Sequence, residues 1–397
     1  MRRHLFLFAS LLVAGCGLEG QDNDRDTETA AAAQPVDNEA DAMASRDGET
    51  APDQIADAQD RPIMQAQVVL DRRGFGPGVI DGKMGMSTEN ALLGFQEANG
   101  IDQTGKLDAA TKAALADWEN IPATRVVTIP EEWGTVAFEE IPDDPAAQAE
   151  MERLGYTSLD EKLAERFHTT VAVLKMLNPG GKPASSSPTA DETPVGEAAR
   201  SASDDAGPAS EASADGKGFF RAGQQIRVPN IGADRIAPGA IGDEGWKQTL
   251  AMLGVGSEQP DVDRIVVSEK AGTLKGYDAD DKLVVLFTVT SGSSNDPLPL
   301  GEWGINGVGR NPEFSYDPDL FWDVPDSNPD LMMPPGPNNP VGVVWIDLTK
   351  EHYGIHGTPE PQTIGRTQSH GCVRLTNWDA ARLAQMVSTG TQVVFEA

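Results

Sequence analysis

The run Ser369-His370-Gly371-Cys372-Val373-Arg374 stands between a series of short β-type segments and the clearest helical segment of the C-terminal region. If this run is a strand, Cys372 and Arg374 share one face, because successive strand side chains alternate. Directly after it, Thr376 precedes Asp379 by three residues, a spacing typical of a helix N-terminus. The pattern therefore predicts a strand that leads into a helix at residues 378–387.

Upstream of this run the chain is rich in β-type sequence. The segments are short, and Gly, Asp and Lys turns separate several of them; they lie at 265–267, 273–277, 283–289, 341–346 and 392–395. Many short strands with few helices predict a compact, mostly-β sandwich for residues 262–397.

The composition restricts what the chain can bind. Its 397 residues carry a net charge of −31, which argues against nucleic acid and against adhesion to an anionic membrane through a basic surface. Residues 19–60 hold thirteen acidic side chains against two bases, Arg25 and Arg46. Such a segment cannot bury enough apolar surface to fold, so we interpret residues 16–60 as an acidic disordered tether.

The first residues resemble a bacterial lipoprotein signal. Arg2 and Arg3 precede an apolar segment, 5–13, that is too short for a mature membrane span. Small residues then lead into Cys16, as in a lipobox, which implies cleavage after residue 15 and lipidation of Cys16. The alternative is a plain secretory signal with an incidental cysteine. We expect an exported, periplasmic protein that is anchored to a membrane by lipidated Cys16, and Gly17 favours the outer membrane.

The chain has two cysteines, so lipidation of Cys16 would leave Cys372 without a disulfide partner. A redox thiol would need a resolving cysteine, and a zinc site usually needs four ligands with C-x-x-C or H-x-x-x-H spacing. Neither pattern is present, so no metal and no cofactor is predicted. A Cys–His pair for nucleophilic catalysis needs only what the sequence contains.

Three histidines, His352, His356 and His370, are candidates for the base that activates Cys372. We favour His356, because a preceding strand could present it toward the thiol, whereas His370 is only two residues from Cys372. The amides of Gly371 and Cys372 could form an oxyanion hole.

Arg374 could hold a substrate carboxylate or form a structural ion pair, and the sequence leaves these alternatives open.

Together, Ile355-His356-Gly357-Thr358 and Ser369 to Arg374 resemble the signature of the L,D-transpeptidases of the YkuD type, and the resemblance covers residues 262–397. It implies that Cys372 is the nucleophile and His356 the base, oriented through the carbonyl of Gly357. It also implies that four further residues complete the site: Ser369, His370, Gly371 and Arg374. Leu298 departs from the family, which usually has Thr before the Pro-x-Gly motif at Pro299.

Two further segments resemble wall-binding modules. Residues 61–120 are similar to the three-helix peptidoglycan-binding domain, with the motifs G-F-x-P-G-x-I-D-G and T-G-x-L-D, and Ser87 is the expected cap of its second helix. Residues 121–231 resemble an α+β LysM-like module, with a first strand expected near 152–157. A Ser-, Ala- and Pro-rich disordered insertion at 182–217 interrupts this module, and residues 232–261 are interpreted as a linker.

The resulting prediction is a multidomain L,D-transpeptidase whose partners are peptidoglycan stem peptides and glycan. Formation of a thioester between the thiol and a tetrapeptide stem would release D-Ala. The acyl group would then pass to an amine, either of another stem or of a lipoprotein acceptor. Two alternatives stay open. The same thiol could serve an L,D-carboxypeptidase or endopeptidase, or the chain could be a non-catalytic wall tether.

Overall fold

A computed structural model of the chain describes residues 55–184, 218–232, 234–318 and 329–397, all within one compact unit. The predicted signal peptide, Cys16, most of the tether and most of the insertion lie outside these residues. Across the described ranges, no helix combines the length and the apolar character that a bilayer crossing requires.

The first module contains helix α1, strand β1 and helices α2 and α3, with the bounds Pro62–Arg72, Phe75–Gly76, Met86–Ala98 and Ala109–Leu115. Asp108 caps α3 by accepting a hydrogen bond from the Thr111 amide. The expectation that Ser87 caps α2 is wrong. The Gly85 carbonyl already accepts the Glu89 amide, so helical bonding begins before Ser87.

The second module has a β-α-α-β arrangement with one extra short helix. Its elements are β2, α4, α5, α6 and β3, with the bounds Thr124–Thr128, Pro145–Ala149, Leu159–Arg166, Val171–Leu177 and Gln225–Pro229. The first strand does not lie near 152–157 as expected. Strand β2 pairs antiparallel with β3, whereas Leu154 donates its amide to Pro335 of the third module and Ser158 caps α5.

The segment predicted as a linker contains helix α7, Glu244–Leu253. Asp243 caps its N-terminus, and Gly254, with φ of 66°, ends it in the left-handed conformation. Trp246 and Leu250 are buried in the same core as the strands of the third module. This apolar face explains why residues 232–261 fold onto that core instead of forming a linker.

The third module is mostly β. Its strands β4 to β14 have the bounds Arg264–Ser268, Thr273–Tyr277, Leu283–Thr288, Thr290–Ser291, Gly301–Arg310, Phe314–Tyr316, Leu331–Met333, Val344–Leu348, Gly354–His356, Val373–Arg374 and Gln392–Glu396. Its helix α8, Asn377–Met386, begins after Thr376, whose hydroxyl accepts the Asp379 amide as the sequence predicts.

Ten of the described strands form one hydrogen-bonded order, β1-β6-β5-β4-β14-β8-β11-β12-β13-β7, whereas β2 pairs with β3 and β9 with β10 in two separate sheets. Strand β8 links its two parts, because residues 301–304 pair with β14 and residues 305–310 pair with β11. Strand β1 of the first module occupies one end of this order. It pairs parallel with β6, with Phe75 opposite Leu286. The first module therefore extends the sheet of the third.

Candidate active site

Two short parallel strands, β12 and β13, carry His356 and Arg374, and Cys372 directly precedes the second of them. In the pairing of β12 with β13, His356 is the register partner of Arg374. The Arg374 charge acts on both groups, because it adds to the effect of burial that lowers the pKa of His356 and opposes the rise that burial causes in the pKa of Cys372. The fold therefore brings Arg374 near both residues, although His356 and Cys372 are sixteen positions apart in the sequence.

The Cys372 thiol is half-buried and has backbone partners. It donates to the His352 carbonyl, with 3.8 Å between Sγ and O. Burial raises the pKa of Cys372, and the Gly354 amide and the Arg374 guanidinium partly oppose that shift because both stabilise a thiolate. Cys372 forms no disulfide with any residue in the described ranges.

The His356 ring is buried and oriented. Its Nδ1 donates to the Gly357 carbonyl at 2.7 Å, and since a carbonyl only accepts, this bond leaves Nε2 as the unprotonated nitrogen. The indole of Trp345 stacks on the ring, with 5.6 Å between the centroids and 25° between the planes. Burial, with a smaller effect of the Arg374 charge, lowers the pKa of His356 to about 4. A neutral imidazole with a free Nε2 is the form that a general base requires.

Ser369 and Gly371 shape the turn before the thiol. The Ser369 hydroxyl accepts the Gly292 amide at 2.7 Å and donates to the Cys372 carbonyl at 2.6 Å. Gly371 has φ of +94°, and a Cβ at this position would lie 2.6 Å from the Tyr353 ring. Ser369 therefore ties the turn to the sheet, and Gly371 satisfies a backbone and a space requirement that other residues would not.

The other two candidate histidines lie in different surroundings. The His352 side chain is exposed, with 3.6 Å between its Nε2 and the Glu351 carboxylate. The His370 side chain is half-buried beside the turn. Of the three histidines, His356 is the one that is buried and whose ring is held by a backbone carbonyl.

Three residues around the site were not predicted. Trp345 stacks on His356, Tyr353 lies against Gly371, and the side chain of Asn377 lies close against the Gly357 backbone. Tyr353 directly precedes β12, so its proximity to His356 in the chain was an available signal, whereas Trp345 of β11 meets His356 as its register partner. Asn377 is the first residue of α8, and nothing local to it indicates contact with Gly357.

The arrangement is chemically suited to moving a proton from a thiol to an imidazole. The described ranges hold no group of three His, Cys, Asp or Glu side chains placed to bind a metal ion.

Two family models match the chain, one over the third module and one over the first. Residues 262–395 match the family model of the L,D-transpeptidase catalytic domain, and residues 59–115 match the one described as "Putative peptidoglycan binding domain".

Among curated proteins, the chain is similar to "Putative L,D-transpeptidase YkuD" of Bacillus licheniformis. The two are 33% identical over 146 residues, which cover 37% of this chain and 73% of the relative. The protein of the same name in Bacillus subtilis is 49% identical over 57 residues, which cover 14% of this chain and 35% of the relative.

Among solved structures, the chain is similar to an L,D-transpeptidase from Mycobacterium smegmatis, with 22% identity and a TM-score of 0.27 over 34% of this chain and 58% of that one. L,D-transpeptidase 3 from Mycobacterium tuberculosis, in complex with a faropenem-derived adduct, has 18% identity and a TM-score of 0.27 over 35% of this chain and 61% of that one. The sequence relatives carry the assignment: with a catalytic-domain match at residues 262–395 and a peptidoglycan-binding match at 59–115, this chain belongs to the L,D-transpeptidase family.

Proposed function

We propose that the chain catalyses acyl transfer on peptidoglycan through a thioester at Cys372. The observation that supports this proposal best is the state of His356, whose Nδ1 is held by the Gly357 carbonyl and whose register partner Arg374 also acts on the Cys372 thiol. The peptidoglycan-binding match at 59–115 supports peptidoglycan as the substrate.

In the first half-reaction, His356 Nε2 takes the thiol proton while Cys372 Sγ attacks the carbonyl carbon of the third stem residue. The amides of Gly371 and Cys372 are the proposed donors to the oxyanion. When the tetrahedral intermediate collapses, the C–N bond breaks, and the imidazolium returns its proton to the amine of the departing terminal D-Ala. The product is a thioester on Cys372.

In the second half-reaction, an acceptor amine attacks the thioester carbonyl and gives up a proton to His356. The C–S bond breaks, and the leaving thiolate recovers the proton from the imidazolium, which regenerates the starting pair. An amine of a second stem gives a three-to-three crosslink, a protein lysine gives an attached lipoprotein, and water gives carboxypeptidase or endopeptidase activity.

The middle module and the N-terminus belong to the same proposal. The β2-α5-α6-β3 order supports a LysM-like glycan-binding role for residues 121–231. We also propose an exported protein that is anchored by lipidated Cys16, which would hold the thiol near peptidoglycan.

A carbapenem tests the nucleophile directly, because it acylates a reactive thiol and leaves a mass increment. We expect a stoichiometric adduct on the wild-type protein, located to the peptide that contains Cys372, and no adduct on Cys372→Ala. Glu351→Gln, an exposed carboxylate change near the site, is the control and should acylate like the wild type. An adduct of undiminished yield on Cys372→Ala would remove this residue from its role.

The acceptor is tested separately, by chromatography and mass spectrometry of the muropeptides that form on defined tetrapeptide stems. Crosslinked dimers with loss of D-Ala support transfer to a stem amine. Tripeptide stems without dimers would instead establish hydrolysis and overturn the transferase proposal.

A further inference from the structure

A buried carboxylate of the middle module lies behind the catalytic histidine. Glu165, in the last turn of α5, is buried in the interface with the third module. Its Oε1 accepts a hydrogen bond from Nδ2 of Asn377 at 2.8 Å, across 212 residues of sequence. Asn377 is the first residue of α8 and follows the Cys372 strand closely in the chain. The two modules therefore share a buried polar contact near the site.

Asn377 is in turn locked against the backbone that carries the catalytic base. Its Nδ2 also donates to the Pro337 carbonyl at 3.0 Å, and its Oδ1 accepts the Val343 amide at 3.3 Å. The same oxygen lies so close to Gly357 and Gly342 that neither glycine has room for a Cβ. A displacement of the Asn377 amide would therefore move the Gly357 backbone.

Gly357 supplies the carbonyl that holds Nδ1 of His356 at 2.7 Å. The contacts thus run without a gap from Glu165 to Asn377, then to the Gly357 backbone and to the imidazole. Every polar contact in this series is buried, where a hydrogen bond is stronger and a missing partner costs more.

We propose that Glu165 is a positioning residue for His356, and that it acts through Asn377 and the Gly357 backbone. This inference rests on the proposed acyl transfer at Cys372. Because Glu165 belongs to the middle module, that module has a part in catalysis beyond any glycan binding of its own.

The ionisation of Glu165 gives the inference a measurable signature. Burial raises the pKa of Glu165 to about 7, and the charge of Glu161 adds to the shift, whereas Tyr156 and Asn377 oppose it. An ionised carboxylate accepts a stronger hydrogen bond from Asn377 than a neutral acid does. The positioning of His356 should therefore improve as pH rises through about 7, the pKa of Glu165. Asp379 on α8 is another carboxyl whose pKa burial raises to about 7, so its titration must be separated from that of Glu165.

The test is the rate constant for acylation of Cys372 by a carbapenem, measured between pH 5 and 9 by stopped-flow and normalised to the final adduct. For the wild type we expect a step near pH 7, with a rate about three- to tenfold higher on the alkaline side, since a charge-assisted hydrogen bond replaces a neutral one. Glu165→Gln keeps an acceptor for Asn377 and should show the lower rate without the step. Glu165→Ala removes the acceptor and should fall about tenfold further.

Glu161→Gln is the matched control, because Glu161 lies one turn away and its carboxylate accepts hydrogen bonds from Thr157 and Asn338. It should keep the step and move it to lower pH, because a like charge has been removed. Normalising to the final adduct makes the rate independent of how much protein is folded.

The outcomes separate the two proposals. A wild type that forms no Cys372 adduct contradicts the proposed function. A wild type that acylates while Glu165→Gln retains the step assigns the titration to another group, such as Asp379, and overturns the inference. Equal rates for Glu165→Ala and wild type would also overturn it.

Discussion

Burial favours the neutral form of both Cys372 and His356. It raises the pKa of the thiol and lowers that of the imidazole to about 4, because the charged form of each group loses hydration. At rest, the thiol and the imidazole are therefore both neutral. In the proposed mechanism, the thiolate forms as the proton moves to Nε2 during attack.

The low pKa of His356 predicts that the acylation rate falls only at an unusually low pH, where the imidazole becomes protonated. A His356 pKa near 4 keeps the base neutral at pH 5, so the acid limb attributable to this residue should lie near pH 4 and not near the ordinary value of 6.5. The measurement is the rate of carbapenem acylation in Glu165→Gln, which lacks the separate step near pH 7.

Arg374→Gln provides the comparison, because the Arg374 charge contributes to the low pKa of His356. The acid limb of Arg374→Gln should move to higher pH. A limb at pH 6.5 in Glu165→Gln would show that His356 does not have the low pKa that its burial implies. The low pKa of His356 also makes the stability of the fold depend on pH. Between pH 6.5 and about pH 4, His356 binds a proton in the unfolded chain but not in the folded protein, so the free energy of unfolding decreases as pH falls through this interval.

At the scale of elements, strand β1 joins the first module to the third. It covers an edge of the large sheet by pairing with β6, and α2 packs over the junction, where Asn90 donates to Thr288 at 3.1 Å. An open sheet edge would leave backbone groups unpaired. The pairing therefore gives the first module a fixed place on the sheet.

Gly76 tests this junction. A Cβ at Gly76 would lie 2.8 Å from the Phe287 ring and about 3 Å from the Asp379 carboxylate, so Gly76→Ala overpacks the seam. We expect a loss of about 1–3 kcal/mol in the free energy of unfolding, measured with urea. Gly85→Ala is the control, because a Cβ there meets nothing within 4 Å. Equal stability of the two variants would contradict the close packing of β1.

The elements differ in how far local sequence predicts them. Helix α8 follows from Thr376 and Asp379, which lie within one turn and form the cap themselves. Strand β2 was misplaced because its partner β3 lies about a hundred residues away, and short β-type runs do not specify which strand they pair with. Helix α7 was not predicted for a related reason. Its apolar face packs on a core that strands elsewhere in the chain form, and its own sequence does not show that core.

At the scale of the whole molecule, a buried charge network joins the three modules. Arg382 of α8 makes a bidentate ion pair with Asp71 of α1, at 2.9 and 2.8 Å. His168 of the middle module lies 3.2 Å from the same carboxylate and stacks on Trp378, with 4.9 Å between the ring centroids. Burial by itself would raise the pKa of Asp71, but the Arg382 guanidinium and, after it, His168 outweigh that effect and hold the pKa well below its ordinary value.

Breaking this pair should weaken the whole unit. Arg382→Met leaves the Asp71 charge buried without its guanidinium, and we expect a loss of about 3–5 kcal/mol in the free energy of unfolding. The measurement is urea unfolding followed by tryptophan fluorescence and far-ultraviolet circular dichroism. Because the network spans the three modules, both signals should shift together.

Two further variants complete the test. Arg264→Met removes an exposed ion pair with Asp281 and should cost less than about 1 kcal/mol. The double variant Asp71→Leu with Arg382→Met should recover much of the loss, because the Asp71 charge is no longer left buried without its guanidinium. A small effect of Arg382→Met, comparable to that of Arg264→Met, would show that the network does not stabilise the unit.

The sequence by itself was sufficient for features that local patterns encode. The family signature from Ser369 to Arg374, its second part at His356 and Gly357, and the cap at Thr376 all lie within short segments; the catalytic roles of Cys372 and His356 stay proposals. The matches at 262–395 and 59–115 confirm the two outer modules that these motifs indicated. The lipidation of Cys16 and the LysM-like role of residues 121–231 stay predictions.

Only the tertiary structure decided which distant side chains support the site. Glu165 reaches Asn377 and Asp71 reaches Arg382 across 212 and 311 residues, and each of these contacts joins two modules. Hydrophobic periodicity predicts that a helix has a buried face but not which surface covers it. A buried carboxylate acquires its role from that surface, because desolvation and the available partner together set its charge.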